Sequence, residues 1–121
     1  MRIIKLPMAA GIAGMMVMAS SAQAQTSPKQ EETGKDIAFS LAKGNCLACH
    51  GMPSQPDAES PGLFGPPLIA MSARYPDKDR LRAKIWDATA SSPHTSMPPY
   101  GKHKVLTEQE IDKVTDFIHR L

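Results

Sequence analysis

The chain has 121 residues, 41% hydrophobic and 21% charged, with 11 Pro, 8 Met, only 2 Cys and a formal net charge of +2. That length holds one domain and excludes a multi-domain enzyme, and the apolar content excludes a wholly disordered chain. So small a charge gives no reason to expect nucleic acid as a partner.

Arg2 and Lys5 precede an uncharged apolar run over residues 6–19, which ends in Ser20, Ser21, Ala22, Gln23 and Ala24. A basic start, a short apolar middle and an Ala-x-Ala site predict a secretory signal peptide over 1–24, cleaved between Ala24 and Gln25, and hence a periplasmic protein. As a helix the apolar run would reach only about 21 Å, short of the roughly 30 Å hydrocarbon core, so no membrane insertion is expected after cleavage. Removing 24 residues leaves 97, with 12 Lys and Arg against 12 Asp and Glu. The apparent basicity belongs to the targeting segment, and of the methionines only Met52, Met71 and Met97 remain.

Residues 25–32, QTSPKQEE, read as a flexible leader, and 33–121 as the folded domain. From Thr33 a short helix is expected, with Ile37, Ala38, Leu41 and Ala42 on one face, Phe39 beside them, and Gly44 as a left-handed cap. Residues 51–70 hold Pro53, Pro56, Pro61, Pro66 and Pro67 with three glycines, a density that no helix or central strand tolerates. This stretch is either a loop wrapped around something or a linker. A middle helix is expected over Asp77–Ala88, placing Leu81, Ile85 and Ala88 on one face. A second loop, 90–104, carries Pro93, Met97, Pro98, Pro99 and Gly101. Thr107 to Glu110 then match a capping box, followed by the stripe Ile111, Val114, Phe117, Ile118 and Leu121, which predicts a helix to the C-terminus. No strand pattern and no phosphate-binding glycine loop is found. The expected fold is all-α, with three or more helices joined by proline-rich loops.

With six aromatic residues and at most one disulfide, so small a domain needs something else to fill its centre. Cys46-Leu47-Ala48-Cys49-His50 supplies it, being the C-x-x-C-H pattern of covalent c-type haem attachment. Each thiol can form a thioether with one haem vinyl group, and the adjacent imidazole lies under the iron as proximal ligand. A thioredoxin-like pair would need a βαβ setting and leaves His50 without a role. Zinc would need His94, His103 or His119 to complete the ligand set, and none shows a paired ligand spacing.

The other face of the iron needs a donor from a distant part of the chain. Met52 lies too close to His50 to cross the ring plane. Met97 is the expected distal ligand, from its loop held by Pro98 and Pro99, with Met71 and His94 as rivals. A thioether favours Fe(II) and closes the iron to substrates, which points to electron transfer. In the Gly65-Pro66-Pro67-Leu68 run the Pro66 carbonyl is the expected acceptor for the remaining imidazole N–H, although an ordinary turn fits the run equally well. The cluster Arg74, Lys78, Arg80, Arg82 and Lys84 reads as a solvated helix face, whereas Lys102 and Lys104 are candidates to flank the haem edge and steer a redox partner.

Phe39 to His50, the Gly-Pro-Pro-Leu run and the stretch from Met97 through Ile111 resemble SoxX, the family of small mono-haem cytochromes in bacterial Sox thiosulfate oxidation. The resemblance covers about Gly34 to Leu121 and implies a class I cytochrome c-like fold around one covalently bound haem c. It also implies a heterodimer with a SoxA-like haem subunit bearing a catalytic cysteine. That pair would couple thiosulfate oxidatively to a cysteine of a SoxYZ-like carrier, as an L-cysteine S-thiosulfotransferase. By the same analogy the haem on Cys46 and Cys49, ligated by His50 and Met97, would relay the electrons to a soluble cytochrome c acceptor. With no third cysteine, this chain supplies no catalytic residue. The alternative is a free-standing periplasmic electron-shuttle cytochrome c.

Overall fold

A computed structural model describes residues 31–121; the expected signal peptide and leader positions 25–30 lie outside the described residues. Four α-helices follow in order: α1 (Gly34–Phe39), α2 (Met71–Arg74), α3 (Lys78–Trp86) and α4 (Glu108–His119). Single 3-10 turns lie at Cys46–Ala48 and Ala88–Ala90, and there is no strand among the described residues.

Helix α4 is the spine of the domain. Thr107 Oγ1 accepts from the Glu110 amide at 3.2 Å while Glu110 Oε2 accepts from the Thr107 amide at 2.9 Å, so two otherwise orphaned donors are satisfied reciprocally. Ile111, Val114, Phe117 and Ile118 are buried, each burial stabilising by about 1.5–3 kcal/mol. Thr115 is buried with them, which the apolar stripe did not foretell; its hydroxyl donates to the Ile111 carbonyl at 2.7 Å and so arrives already satisfied. The helix stops at His119, and the Leu121 carbonyl beyond it accepts from the Ala70 amide at 2.9 Å.

Helix α1 begins behind Thr33 with its own capping box and buries Ile37 and Ala38. Phe39 meets Phe117 of α4 edge-on, with ring centroids 6.2 Å apart. The expected continuation toward Gly44 does not occur. The helix ends at Phe39, Leu41 is 85% exposed and Ala42 is exposed. The Ser40 carbonyl instead accepts from Lys43 and Asn45, and the Gly44 amide donates to the Ile37 carbonyl at 3.0 Å. Asn45, not Gly44, takes the left-handed conformation, with φ 44°. Gly44 is required for closeness: a Cβ there would stand 2.7 Å from the Ile37 carbonyl oxygen.

Asp77 caps α3 by accepting from the Asp79 amide at 3.0 Å, and Leu81 and Ile85 are buried in the common core with α4. Ala88 follows, buried, in the second 3-10 turn. The basic side chains of α3 reach across to α4: Lys78 pairs with Asp116 at 2.6 Å, and Arg82 pairs with Asp112 at 2.6 Å and with Glu108. Exposed pairs of this kind contribute at most about 1 kcal/mol each, so they set alignment more than stability. At the start of the described chain, Glu31 pairs with Lys113 at 2.5 Å and Glu32 with Lys43.

Candidate functional site

The first 3-10 turn is too short to have a core of its own, yet it organises the site. His50 N donates to the Cys46 carbonyl at 2.9 Å, closing one turn that presents Cys46, Cys49 and His50 together. The proline-rich stretch then folds back over it: Gly62 N donates to Leu47 O at 2.7 Å, Gly65 N to Cys49 O at 2.8 Å, and Leu68 N to Gly51 O at 2.8 Å. It is a wrapping loop, and prolines suit it because they fix φ where few amides have ladder partners.

Cys46, Cys49, His50, Pro66 and Met97, far apart in sequence, all line one predominantly apolar cavity of about 390 Å³. His50 Nδ1 stands 2.6 Å from the Pro66 carbonyl oxygen. A carbonyl only accepts, so Nδ1 carries the proton and donates, which leaves the lone pair on Nε2. Gly65 packs against the same ring, where a Cβ would fall 2.4 Å from Cε1. The imidazole is therefore clasped on its Nδ1 side and across its face. Burial pushes the Cys46 thiol up to about 11, well away from the depressed values that make a thiol pair reactive in exchange.

The rival donors are distributed differently. Met71 is buried and lines the cavity, but its sulfur accepts from Arg74 Nη1 at 3.2 Å, and Arg74 also donates to the Pro67 carbonyl at 2.9 Å. His94 and His103 are exposed and stand outside the cavity lining. His119 meets the Tyr75 carbonyl oxygen at 2.9 Å. Among the described residues no group of three or more His, Cys, Asp or Glu side chains is placed to hold a metal ion, so the zinc alternative has no ligand set. Lys102, more than half exposed, pairs with Asp87 at 2.8 Å. That pairing, with a second bond from Thr89, holds the Asp87 carboxyl down at about 2.

Tyr100 was not singled out by the sequence. It is buried, lines the cavity and donates its hydroxyl to the Gly44 carbonyl at 2.5 Å. Its place three residues after Met97 was the available signal, but only a fold that brings Gly44 alongside gives it meaning. Burial pushes its phenol up to about 12, so it remains a donor across the ordinary pH range.

Two thiols one turn apart, an imidazole held by a carbonyl at Nδ1, the lining methionines Met71 and Met97 and a predominantly apolar enclosure form a donor set suited to a covalently attached porphyrin. Residues 31–118 match the family described as cytochrome c oxidase, cbb3-type, subunit III. The crystal structure of SoxXA from P. pantotrophus is similar, with a TM-score of 0.65 and 28% identity over 71% of this chain and 77% of that one. An uncharacterized lipoprotein of Aquifex aeolicus (strain VF5) is 30% identical over 77 residues. That match covers 64% of this chain and 36% of the lipoprotein, so the chain spans about a third of that relative's length. Helices without strands, the attachment motif at the cavity wall and these likenesses agree: the chain belongs to the cytochrome c family described as cbb3-type oxidase subunit III, as a SoxX-like electron-transfer cytochrome with covalently bound haem c.

Proposed function

We propose that this chain is the electron-relay subunit of a periplasmic SoxAX-like S-thiosulfotransferase, exported by residues 1–24 and folded as a mono-haem domain over 33–121. The observation that carries the reading is the convergence of Cys46, Cys49, His50 and Met97 on one apolar cavity in a chain similar to SoxXA. Cys46 and Cys49 would hold the haem through thioethers, and His50 Nε2 and Met97 Sδ would be its iron ligands. The haem supplies a one-electron Fe(III)/Fe(II) couple.

The other residues support that assignment. The Pro66 carbonyl fixes the imidazole tautomer and strengthens it as a donor. Met71 is the weaker candidate for the distal position because Arg74 occupies its sulfur. As an iron ligand, Met97 would favour the reduced state and, together with His50, would close the iron to substrate. The sulfur chemistry then belongs to a SoxA-like haem subunit. There, a carrier cysteine thiolate on a SoxYZ-like protein joins thiosulfate through a new S–S bond and releases two electrons. This chain would accept them one at a time and pass them on to a soluble cytochrome c. Beside the cavity, Leu63 and Phe64 are 90% and 77% exposed, an apolar surface suited to a stable partner rather than a passing one.

The test combines the purified holoprotein, a SoxA-like subunit and the carrier, with haem reduction followed after thiosulfate is added. Reduction should require all three proteins. Equal reduction without the partner, or none with it, would reject the thiosulfate role and leave the free electron shuttle. Separately, Met97→Ala should lower the midpoint potential and remove the weak long-wavelength charge-transfer band of the ferric protein. Retention of that band would remove Met97 from the ligand set.

A further inference from the structure

Two of the cavity's walls come from distant parts of the chain, the attachment segment with its proline-rich wrap and the loop that carries Met97, and most of the rest of its lining comes from α2, α3 and α4. The Met97 loop is held internally by Thr95 N to Ser92 O and His103 N to Pro99 O, both at 3.0 Å, and few of its bonds reach beyond it. Met97 N donates only to Thr95 Oγ1, at 3.2 Å, and Pro98 and Pro99 have no N–H to give. The loop is next held where Gly101 N and Lys102 N donate to the Trp86 carbonyl at 3.1 and 3.3 Å, which ties it to the end of α3. Among the described residues, the one hydrogen bond recorded from this loop to the attachment segment is Tyr100 Oη to Gly44 O at 2.5 Å. Its acceptor is fixed in turn, since Gly44 N is bonded to Ile37 O and Gly44 is buried.

We propose that Tyr100 is a positioning residue that staples the two walls together and so sets how often Met97 leaves the iron. The inference rests on the assignment of Met97 as distal ligand. For the thioether to withdraw, the Met97 loop must swing away from the attachment segment, and the Tyr100 bond is the polar contact that such a swing breaks. The bond is buried in the closed state, so a swing exchanges it for hydration of the hydroxyl and of the Gly44 carbonyl, at a net cost of about 0.5–1.5 kcal/mol.

An external ligand binds ferric iron here only in molecules from which the methionine has left, so its apparent affinity reports that fraction. Imidazole is the probe, titrated into ferric holoprotein while the iron–sulfur charge-transfer band is followed. Tyr100→Phe keeps the ring and removes the bond, and should tighten apparent imidazole binding by about two- to twelvefold, the equilibrium equivalent of one hydrogen bond. Ile111→Val, in the core away from the cavity lining, is the control for general loosening and should leave imidazole affinity unchanged. Unchanged affinity in Tyr100→Phe overturns the proposal, as does an equal gain in Ile111→Val. If Tyr100→Phe does not accumulate with haem, a fluorinated tyrosine at 100 keeps ring and hydroxyl while strengthening the donor. Imidazole affinity must then fall below that of the wild type, and no change or a rise overturns the staple. Absence of the charge-transfer band in the wild type would instead defeat the Met97 assignment, which separates the two failures.

Discussion

Gly65→Ala is the most direct probe of how the proximal imidazole is held. A methyl group there would lie 2.4 Å from His50 Cε1, 2.7 Å from Nδ1 and 2.9 Å from Nε2, against an ordinary contact of at least 3.4 Å. Either the ring or the wrapping loop must therefore give by about 1 Å. The ring cannot yield without straining its 2.6 Å bond to Pro66, and the loop cannot yield without straining the 2.8 Å bond from Gly65 N to Cys49 O. Overpacking of this degree costs about 1–3 kcal/mol. In a domain of this size each kcal/mol is about 4–8 °C in melting temperature, so a loss on the order of 10 °C is expected. The same loop supplies its own control, because a Cβ on Gly51 meets nothing within 4 Å, and Gly51→Ala should be neutral or up to about 1 kcal/mol stabilising. Melting the two holoproteins side by side, with their ferric spectra and midpoint potentials, tests the argument. If Gly65→Ala melts with Gly51→Ala and keeps the native potential, the imidazole is not clasped as described.

Two further outcomes are expected away from the cavity. The Glu110 carboxyl, ordinarily at 4.5, is held at about 2, first by Lys43 at 2.5 Å and then by the Thr107 amide. A carboxyl depressed on folding contributes stability that is complete above 4.5 and is lost as pH falls from there toward 2. Denaturant midpoints against pH should therefore drop more steeply on the acid side in the wild type than in Glu110→Gln, and parallel curves would refute the linkage. Ala70 holds φ at 50°, a left-handed conformation that costs an L side chain about 1–2 kcal/mol. Its side chain is exposed, so Ala70→Gly should raise stability by about 1 kcal/mol in chemical unfolding, whereas a loss would show that the methyl group packs usefully.

The parts of this protein written into its sequence are those fixed by neighbours in the chain. The spacing of Cys46, Cys49 and His50 is a property of one turn, and the Thr107–Glu110 box and the stripe behind it are properties of one helix. Each can be read from a few consecutive residues because the hydrogen bonds and burial that enforce it are local in register. The place of Met97 on the cavity wall was reachable by a weaker route, through the elimination of closer methionines and the prolines that stiffen its loop.

Tertiary structure decided everything that depends on which distant backbone passes by. Gly44 looked like a left-handed cap because glycine is permissive, but the approach of the Ile37 carbonyl makes it a spacing residue and hands the turn to Asn45. Lys102 gains Asp87 as a neighbour only in the folded chain, and Met71 could not be weighed against Met97 until Arg74 came to bond its sulfur. Whether the proline-rich stretch was linker or wrap depended on Gly62, Gly65 and Leu68 finding carbonyls on the attachment segment. Periodicity and motif record what a residue demands of its own element. The pairing of an orphan donor with a particular distant acceptor, as in Tyr100 with Gly44, is settled only when packing brings the two walls of the cavity together.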